Sequence, residues 1–197
     1  TGLNASMVRH IQNKVDFLKK ISKVKNEELI IDIGSNDGTM LNYFFKKKKF
    51  NLVGIDPTIN KFKKFYNKNI KKIPNFFNKK LIDKYLKKEK AKIISSISMF
   101  YDLPNPLKFA EDVYSSLDNE GVWHLEQSYA GSMLKQNSYD TICHEHLEYY
   151  SLRSIKYIFD RVKFKIIDIG FNDINGGSFA ITVAKKNSKH KEIKYKI

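Results

Sequence analysis

Residues 29–41 read Leu-Ile-Ile-Asp-Ile-Gly-Ser-Asn-Asp-Gly-Thr-Met-Leu. The first five residues are mostly apolar and rich in isoleucine, which predicts a short strand buried on both faces of a parallel sheet. Gly34 and Gly38 then bracket a tight turn, because glycine lets the backbone bend sharply and lets a ligand approach it closely. From Thr39 onward the apolar residues recur at a helical spacing. The stretch therefore predicts a strand, a glycine turn and a helix in succession.

The next predicted strand covers residues 51–56 and ends in Asp56. In nucleotide-binding folds, an acid about 20 residues beyond the glycine turn accepts hydrogen bonds from ribose hydroxyls. The turn does not match G-x-G-x-x-G, so NAD fits poorly, and it does not match the phosphate-binding G-x-x-x-x-G-K-[ST] loop. A glycine turn without a ligand is the alternative, because G-x-x-x-G alone is a weak signal. The acid at the strand end favours a nucleotide-type ligand.

An acid-x-Gly-x-x-x-Gly turn followed by a strand-end acid resembles the S-adenosylmethionine turn of class I methyltransferases. The resemblance implies that the backbone near Gly34 faces the amino-acid part of the cofactor and that Asp56 holds its ribose, with S-adenosylhomocysteine as the product. A further predicted strand, residues 91–99, would bring its carboxyl end to the same edge of the sheet. The predicted cofactor-binding residues are Asp32, Gly34, Ser35, Asn36, Asp37, Gly38, Asp56, Pro57, Ser96 and Ser98.

Strand and helix patterns alternate along the chain and close with two neighbouring strand patterns, which predicts an α/β fold with helices on both faces of a sheet. The methyltransferase form of this fold is a three-layer, Rossmann-like sandwich with a mostly parallel seven-stranded sheet and an antiparallel last strand. We divide the chain into a leading helical segment at 1–26, an S-adenosylmethionine-binding core at 27–186 and a basic tail at 187–197. Individual elements are predicted as a leading helix at 7–24, a basic helix at 59–69, the fifth strand at 121–127 and the closing strands at 164–170 and 178–184.

Composition limits the class of protein. A chain of 197 residues is long enough for one domain with a sizeable core, and no run approaches the ~18 apolar residues of a membrane span. The single Cys143 excludes an internal disulfide framework and suits a reducing compartment, and no signal-peptide pattern opens the sequence. We therefore expect a cytoplasmic protein with no membrane partner. Because the sequence opens on Thr and resembles the interior of a chain, we also expect a piece of a longer protein.

The net charge of +15 raises the possibility of nucleic-acid binding. However, only three of the 36 basic residues are Arg, whereas nucleic-acid sites usually use Arg for forked contacts to phosphates and base edges. The lysines are spread along the whole chain. We therefore expect no nucleic-acid partner, and we interpret the basic surface as suited to a small anionic substrate such as a nucleotide sugar.

A second chemically dense stretch, residues 139–152, reads Tyr-Asp-Thr-Ile-Cys-His-Glu-His-Leu-Glu-Tyr-Tyr-Ser-Leu. Metal binding is one interpretation, but H-E-x-x-H is absent and no second Cys or His cluster supplies further ligands beside His144 and His146, so we expect no metal. A polar loop with capping and packing roles is a second interpretation. The third is acid–base chemistry, because a histidine flanked by carboxylates can take a proton near neutral pH.

The chain closely resembles the nucleotide-sugar C-methyltransferase family over nearly its whole length. Five motifs occur in the family's order, namely D-I-G-S-N-D-G-T at 32–39, G-I-D-P at 54–57, E-Q-S-Y at 126–129, Y-D-T-I-C-H-E-H-L-E-Y-Y-S-L at 139–152 and N-G-G-S-F at 175–179. Family enzymes use a His base to remove the proton next to a sugar ketone. The resemblance implies catalytic roles for His146, Glu145, Glu126 and Tyr129 and an acceptor side made of Asp102, Cys143 and His144. It also implies an N-terminal zinc-binding domain and a C-terminal domain, neither of which this sequence includes.

Two positions depart from the family pattern. Many members have Tyr at the position of Cys143 and His at the position of Asp102, and both lie on the acceptor side. The main prediction is C-methylation of a nucleotide-linked ketosugar in surface-polysaccharide or unusual-sugar biosynthesis. Methylation of oxygen on a sugar or other small molecule stays open. So do an RNA methyltransferase, which the charge favours, and a non-catalytic cofactor-binding scaffold domain of a larger enzyme.

Overall fold

A computed structural model describes residues 2–46 and 49–194. None of the helices in those residues is long and apolar enough to cross a bilayer. In chain order the elements are α1 (Ala5–Ser22), β1 (Leu29–Ile33), α2 (Thr39–Phe45), β2 (Asn51–Ile55), α3 (Ile59–Phe62), β3 (Lys71–Ile73), α4 (Lys79–Leu86), β4 (Ala91–Ile97), α5 (Pro106–Ser116), β5 (Leu117–Ser128), α6 (Ala130–Gln136), α7 (Leu152–Val162), β6 (Phe164–Asn172) and β7 (Ser178–Lys185).

The seven strands form one sheet in the order β3-β2-β1-β4-β5-β7-β6. The pairs β1–β2, β1–β4, β2–β3 and β4–β5 are parallel, whereas β7 runs antiparallel to both β5 and β6. Every residue of β1 is buried, as expected for a central strand with helices on both faces. The predicted three-layer α/β fold, with a mostly parallel sheet and an antiparallel last strand, is confirmed.

Apolar layers cover both faces of the sheet. On one face, α4, α5 and α7 pack around Trp123, whose ring lies 5.5 Å from Phe159 and 5.6 Å from Phe164 between ring centroids. On the other face, α1, α2 and α3 contribute a second cluster that includes Leu18 and Phe44, both fully buried. The two clusters make the sheet the central layer of the sandwich.

Helix α1 belongs to this packing. It begins after Asn4, whose side chain accepts hydrogen bonds from the backbone N–H groups of Ser6 and Met7. Its buried residues Ile11, Val15 and Leu18 recur at helical spacing, and the helix packs against α2, β4 and β5. The helix predicted over 7–24 therefore exists with its start at Ala5, while the domain boundary after residue 26 stays a prediction.

Some element bounds differ from the prediction. The basic helix expected over 59–69 is wrong in extent, because α3 ends at Phe62 and a 3-10 turn, Lys63–Phe65, follows. Only Ile59 of α3 is buried, and a segment without an apolar face gains too little from packing to extend a helix. Strand β5 begins at Leu117 rather than at 121, and the polar segment after it contains α6, which the sequence did not predict.

The segment after β7 packs along the edge strand β6. The backbone N–H of Ile193 donates to the carbonyl of Ile166 at 3.0 Å, and Ser188 is buried. The predicted basic tail therefore starts as a packed segment, and its last three residues, 195–197, lie outside the described residues.

The carboxyl ends of four parallel strands meet at one edge of the sheet. Gly34 follows β1, Asp56 follows β2, Ser98 follows β4 and Tyr129 follows β5. The strand order reverses between β1 and β4, and in open α/β sheets ligands bind in the crevice at such a point. The fold thus brings the two motif-bearing regions of the sequence to one edge.

Candidate functional site

A cleft of about 300 Å³ opens where β1 and β4 diverge. Its floor is the turn between β1 and α2, in which Gly34, Asn36 and Gly38 all have positive φ angles, of 73°, 46° and 72°. α1 forms one wall. The lining residues are Met7, Ile11, Asp32, Gly34, Ser35, Asn36, Asp37, Thr39, Met40, Ile97, Ser98 and Asn175. The glycine turn predicted from the sequence is therefore the floor of a real cavity.

Tyr66 supports this turn from the side. Its hydroxyl donates to the carbonyl of Asn36 at 2.8 Å and lies 2.8 Å from the Ser35 hydroxyl. A Cβ on Gly38 would come within 2.6 Å of the Tyr66 ring, so only glycine fits there. Nothing in the sequence indicated this role, because Tyr66 lies in the basic stretch after β2 and its partner Asn36 is 30 residues earlier in the chain.

Asp56 connects the ends of β1 and β2. One carboxylate oxygen accepts from the backbone N–H of Asn36 at 3.0 Å, and the other accepts from the backbone N–H and the hydroxyl of Thr58, both at 2.6 Å. A carboxylate has about four acceptor positions, so these three donors leave one position for a ligand. The expected double contact to a ribose requires the Thr58 hydroxyl to rotate away.

Two carboxyl groups of the cleft differ in their protonation. Burial raises the pKa of Asp32 to about 7, against the hydrogen bond that it accepts from Ser95 at 2.7 Å, and the nearby Asp56 and Asp37 add to the rise. Burial also acts to raise the pKa of Asp37, but hydrogen bonds donated by Gly2 and Thr39 outweigh it, so that pKa is lowered. Near neutral pH the cleft therefore holds one ionised carboxylate and one that is partly protonated.

The charge of the cleft is opposite to that of the molecule. Among its lining residues, which all belong to the described part of the chain, the charged types are Asp32 and Asp37, and none is Lys or Arg. Phosphate groups bind where N–H groups and cations converge, whereas an ionised Asp37 beside a partly ionised Asp32 favours a cation. The cleft thus suits a positively charged ligand in a chain with a net charge of +15.

A second group of side chains lies at the same edge, on the loop before α7. The ring of His146 lies 4.2 Å from that of Tyr101 between centroids, and its Nδ1 lies 2.7 Å from the carbonyl of Thr141. Because a carbonyl can only accept, Nδ1 carries the hydrogen and Nε2 is left as the basic nitrogen. This is the arrangement required of a general base.

A family model described as a methyltransferase domain matches residues 7–169. The chain belongs to this family. The methyltransferase domain is also 26% identical over 186 residues to the C-methyltransferase NovU of Streptomyces niveus, a match that covers 94% of this chain and 44% of NovU. The domain thus spans less than half the length of that relative.

Solved structures show the same fold. The methyltransferase domain matches the plantazolicin methyltransferase BpumL, which was crystallised with a triazolic desmethylPZN analog and SAH. The TM-score is 0.71 and the sequence identity is 16%, and the match covers 94% of this chain and 88% of BpumL. It also matches the complex between the Haloferax volcanii Trm112 methyltransferase activator and a putative methyltransferase, with a TM-score of 0.64, 12% identity and coverage of 92% and 95%. The predictions of a methyltransferase and of S-adenosylmethionine as the cofactor are confirmed at the level of this family.

The remaining predicted cofactor residues of the methyltransferase domain have different surroundings. Ser98 lines the cleft with a φ of 52°, and its N–H donates to the carbonyl of Glu126 at 2.7 Å. Ser96 is fully buried, and its hydroxyl accepts from the indole N–H of Trp123 at 2.9 Å. Pro57 is exposed beside Asp56. Of these three, Ser98 is the one that faces the cleft.

Glu126 and Tyr129, predicted to be catalytic, do not join the His146 group. The carboxylate of Glu126 is 2% exposed and lies beneath α1, 2.5 Å from His10 Nε2 and 2.6 Å from Lys14 Nζ. The ring of Tyr129 lies 5.2 Å from each of two phenylalanine rings, those of Phe171 and Phe179. Glu126 thus anchors α1, which forms a wall of the cleft, and Tyr129 packs beside the closing strands.

Of the predicted acceptor side, Asp102 is the residue whose side chain interacts with His146. Partial burial raises the pKa of Asp102, while the charge of His146 opposes this rise and that of Glu145 adds to it, so the three side chains interact. Cys143 and His144 lie on the exposed surface of the same loop. Within residues 2–46 and 49–194, no group of three His, Cys, Asp or Glu side chains is arranged to hold a metal ion.

Some residues of the site were missed by the sequence reasoning. Met7, Ile11 and Asn175 line the cleft, and Tyr101 contacts the predicted base. Asn175 lies in the quoted N-G-G-S-F motif, so a signal for it existed. The two α1 residues belong to an ordinary amphipathic pattern, and nothing in such a pattern shows that part of it borders a ligand.

Proposed function

We propose that this methyltransferase domain transfers a methyl group from S-adenosylmethionine to a small anionic acceptor, and that the acceptor is a nucleotide-linked ketosugar methylated on carbon. The observation that carries the proposal is the His146 imidazole, whose Nε2 is free to take a proton at the edge of the sheet that holds the acidic cleft. The similarity to the C-methyltransferase NovU supports carbon as the methylated atom.

The residues of the cleft fit the cofactor. S-adenosylmethionine carries a sulfonium and an ammonium group, and the charged lining residues are Asp32 and Asp37. The turn from Gly34 to Gly38 would hold the amino-acid part. Asp56 is not among the lining residues of the cleft but bonds to Asn36, which is, and its last acceptor position would take a ribose hydroxyl. When bound, the cofactor supplies an electrophilic methyl group and leaves as S-adenosylhomocysteine.

The chain itself supplies a base and a site that holds the two reactants together. For a ketosugar, His146 Nε2 removes the proton from the carbon next to the ketone, and the resulting carbanion equivalent takes the methyl group, so a C–H bond is replaced by a C–C bond. Tyr101 and Asp102 border the imidazole. Holding the two reactants at attack distance would contribute further acceleration by making the step effectively unimolecular.

We extend the proposal to the charge of the acceptor and to the cellular location. The basic surface suits the diphosphate of a nucleotide sugar rather than a nucleic acid, since only three basic residues are Arg. A single cysteine is compatible with the reducing cytoplasm. Because the chain spans less than half of NovU, the acceptor and partners of the whole protein are part of the proposal.

The test is methyl transfer from labelled S-adenosylmethionine to a panel of nucleotide ketosugars. We expect product with the methyl group on carbon, and we expect His146→Ala to reduce turnover by about 10²- to 10⁴-fold, the usual contribution of a general base. S-adenosylhomocysteine binding, measured by calorimetry, should survive this substitution. His190→Ala is the matched control, because His190 contacts the Glu120 carbonyl near the start of β5, far from the cleft.

Two results would contradict the proposal. Methylation of a sugar hydroxyl would replace carbon by oxygen as the acceptor atom and leave His146 as the base that deprotonates it. Tight cofactor binding without turnover of any nucleotide sugar would favour a cofactor-binding scaffold domain instead.

A further inference from the structure

Tyr101 connects the loop that carries His146 to the turn that follows β4. It lies in the 3-10 turn Phe100–Asp102 that follows β4 and is 9% exposed. Its backbone carbonyl accepts hydrogen bonds from the N–H groups of Leu147 at 3.0 Å and Glu148 at 3.1 Å. These two bonds attach the loop that carries His146 to the turn after β4.

The side chain of Tyr101 acts in the same region. Its ring lies 4.2 Å from the His146 ring between centroids, with 52° between the ring planes. Tyr101 lies three residues after Ser98, which lines the cofactor cleft, and the Ser98 side chain acts to lower the pKa of the Tyr101 phenol against the larger effect of burial. One residue therefore contacts the candidate base and lies on the loop that borders the cofactor cleft.

The contact with Thr141 gives this position a chemical consequence. His146 can donate from Nδ1 to the Thr141 carbonyl only while the ring keeps its present orientation, and that bond is what leaves Nε2 as the base. A flipped or tilted ring would lose the bond and would place the hydrogen on either nitrogen. The Tyr101 ring, whose centroid lies 4.2 Å from that of the imidazole, would restrict such a rotation by packing against it.

Electrostatic interactions connect Asp102 with His146 and with Glu145, and they connect Tyr101 with Asp102 and with Cys143. Burial raises the pKa of Tyr101, and the charge of Asp102 adds to the rise, so the phenol stays neutral at physiological pH. Tyr101 therefore acts on His146 by its shape and not by its charge.

We propose that Tyr101 is a positioning residue that holds the His146 imidazole in the Nδ1–H tautomer, on a loop attached to the turn that follows β4 and borders the cofactor cleft. The inference rests on the proposed function of His146 as the base. It goes beyond that proposal because it identifies the residue that determines which nitrogen of His146 can accept a proton. The same residue connects the loop of the base to the turn that follows β4.

The experiment measures by NMR which ring nitrogen of His146 carries the hydrogen. The 197-residue chain is labelled with ¹⁵N-histidine, and ring correlation spectra are recorded at about pH 8.5, with His146→Ala to assign the signal. Wild type and Tyr101→Phe, which keeps the ring, should show His146 with its hydrogen on Nδ1. Tyr101→Leu should show the mixture of tautomers of a free imidazole. Tyr101→Met, which fills the space with a flexible side chain, serves as a second variant should the Leu variant fail to fold.

The kinetic readout separates positioning from folding. With an acceptor that the wild type methylates, Tyr101→Leu should lower kcat by about 10- to 100-fold with little change in KM. Tyr101→Phe should retain the wild-type kcat. The inference is overturned if wild type carries the hydrogen on Nε2, or if the Leu and Met variants keep the wild-type spectrum. Because the spectra need no turnover, an inactive wild type would count against the proposed function alone.

Discussion

Two aspartates of one turn, five positions apart, have opposite pKa shifts. Asp32 lies at the buried end of β1 with a single hydroxyl donor, Ser95, so burial dominates and its pKa rises to about 7. Asp37 lies at the start of α2 and accepts from backbone N–H groups as well as from the Thr39 hydroxyl, so its pKa falls. The same side-chain chemistry thus gives two protonation states because the number of donors differs.

Asp32→Asn tests this assignment. In the folded protein Asp32 keeps its proton until about pH 7, whereas in the unfolded chain it loses it near the ordinary pKa of 3.8. Between these values the folded state binds more protons, so this residue lowers the free energy of unfolding as the pH rises from about 4 to about 7, with no further change above. Asn keeps the acceptor for Ser95 and removes the titration.

The measurement is urea unfolding of wild type and variant between about pH 5 and pH 8. We expect the stability of Asp32→Asn relative to wild type to increase across this range, by at most a few kcal/mol, since each pKa unit corresponds to about 1.4 kcal/mol. Asp16→Asn, at an exposed position of α1, is the control and should leave the pH dependence of wild type unchanged. A constant difference between Asp32→Asn and wild type would show that Asp32 is ionised throughout.

At the scale of elements, the unit β1–turn–α2 depends on a residue outside it. The turn has three positive φ angles, which glycine and asparagine tolerate, but Tyr66 determines how close the chain can come. Its ring packs over Gly38, and its hydroxyl bonds with two residues of the turn. The local sequence predicts the turn, whereas Tyr66, in the segment after β2, stabilises it through packing and hydrogen bonds.

Gly38→Ala should damage both folding and cofactor binding. The added Cβ would lie 2.6 Å from the Tyr66 ring at a φ of 72°, so the ring must move and the backbone is strained. We expect a loss of stability of roughly 2–4 kcal/mol and a clear loss of S-adenosylhomocysteine affinity by calorimetry.

Gly170→Ala is the matched control for this substitution. A Cβ at Gly170 meets no atom within 4 Å, so we expect nearly unchanged stability and affinity. Equal effects of the two substitutions would show that the Tyr66 contact does not restrict the turn.

At the scale of the molecule, charge is unevenly distributed. The chain carries a net charge of +15, yet the cleft is lined by aspartates and by no basic residue among the residues that the structure describes. A basic surface attracts anions over distances of about a Debye length, whereas contacts inside a cleft are screened far less. The two substrates of the proposed reaction, one cationic and one anionic, should therefore respond differently to salt.

Raising the salt concentration from about 0.05 M to about 0.5 M should increase KM for an anionic nucleotide sugar several-fold. The dissociation constant of S-adenosylmethionine should change by less than about twofold over the same range, because contacts inside the cleft are screened less than contacts at the surface. Steady-state kinetics and calorimetry give the two numbers. RNA binding with a steep, linear dependence of log affinity on log salt would instead support an RNA methyltransferase.

The amino-acid sequence alone determined the strand–turn–helix unit, the alternation that makes a three-layer α/β fold and the motifs that place it among methyltransferases. These properties follow from local backbone preferences and from the period of apolar residues, both of which are written along the chain. Only the tertiary structure decided that the Glu126 side chain turns toward α1, since strand alternation does not specify which element covers each face. It also decided the pKa of Asp32 and the contact between Tyr101 and His146, because burial and long-range contacts arise only when segments far apart in sequence pack together.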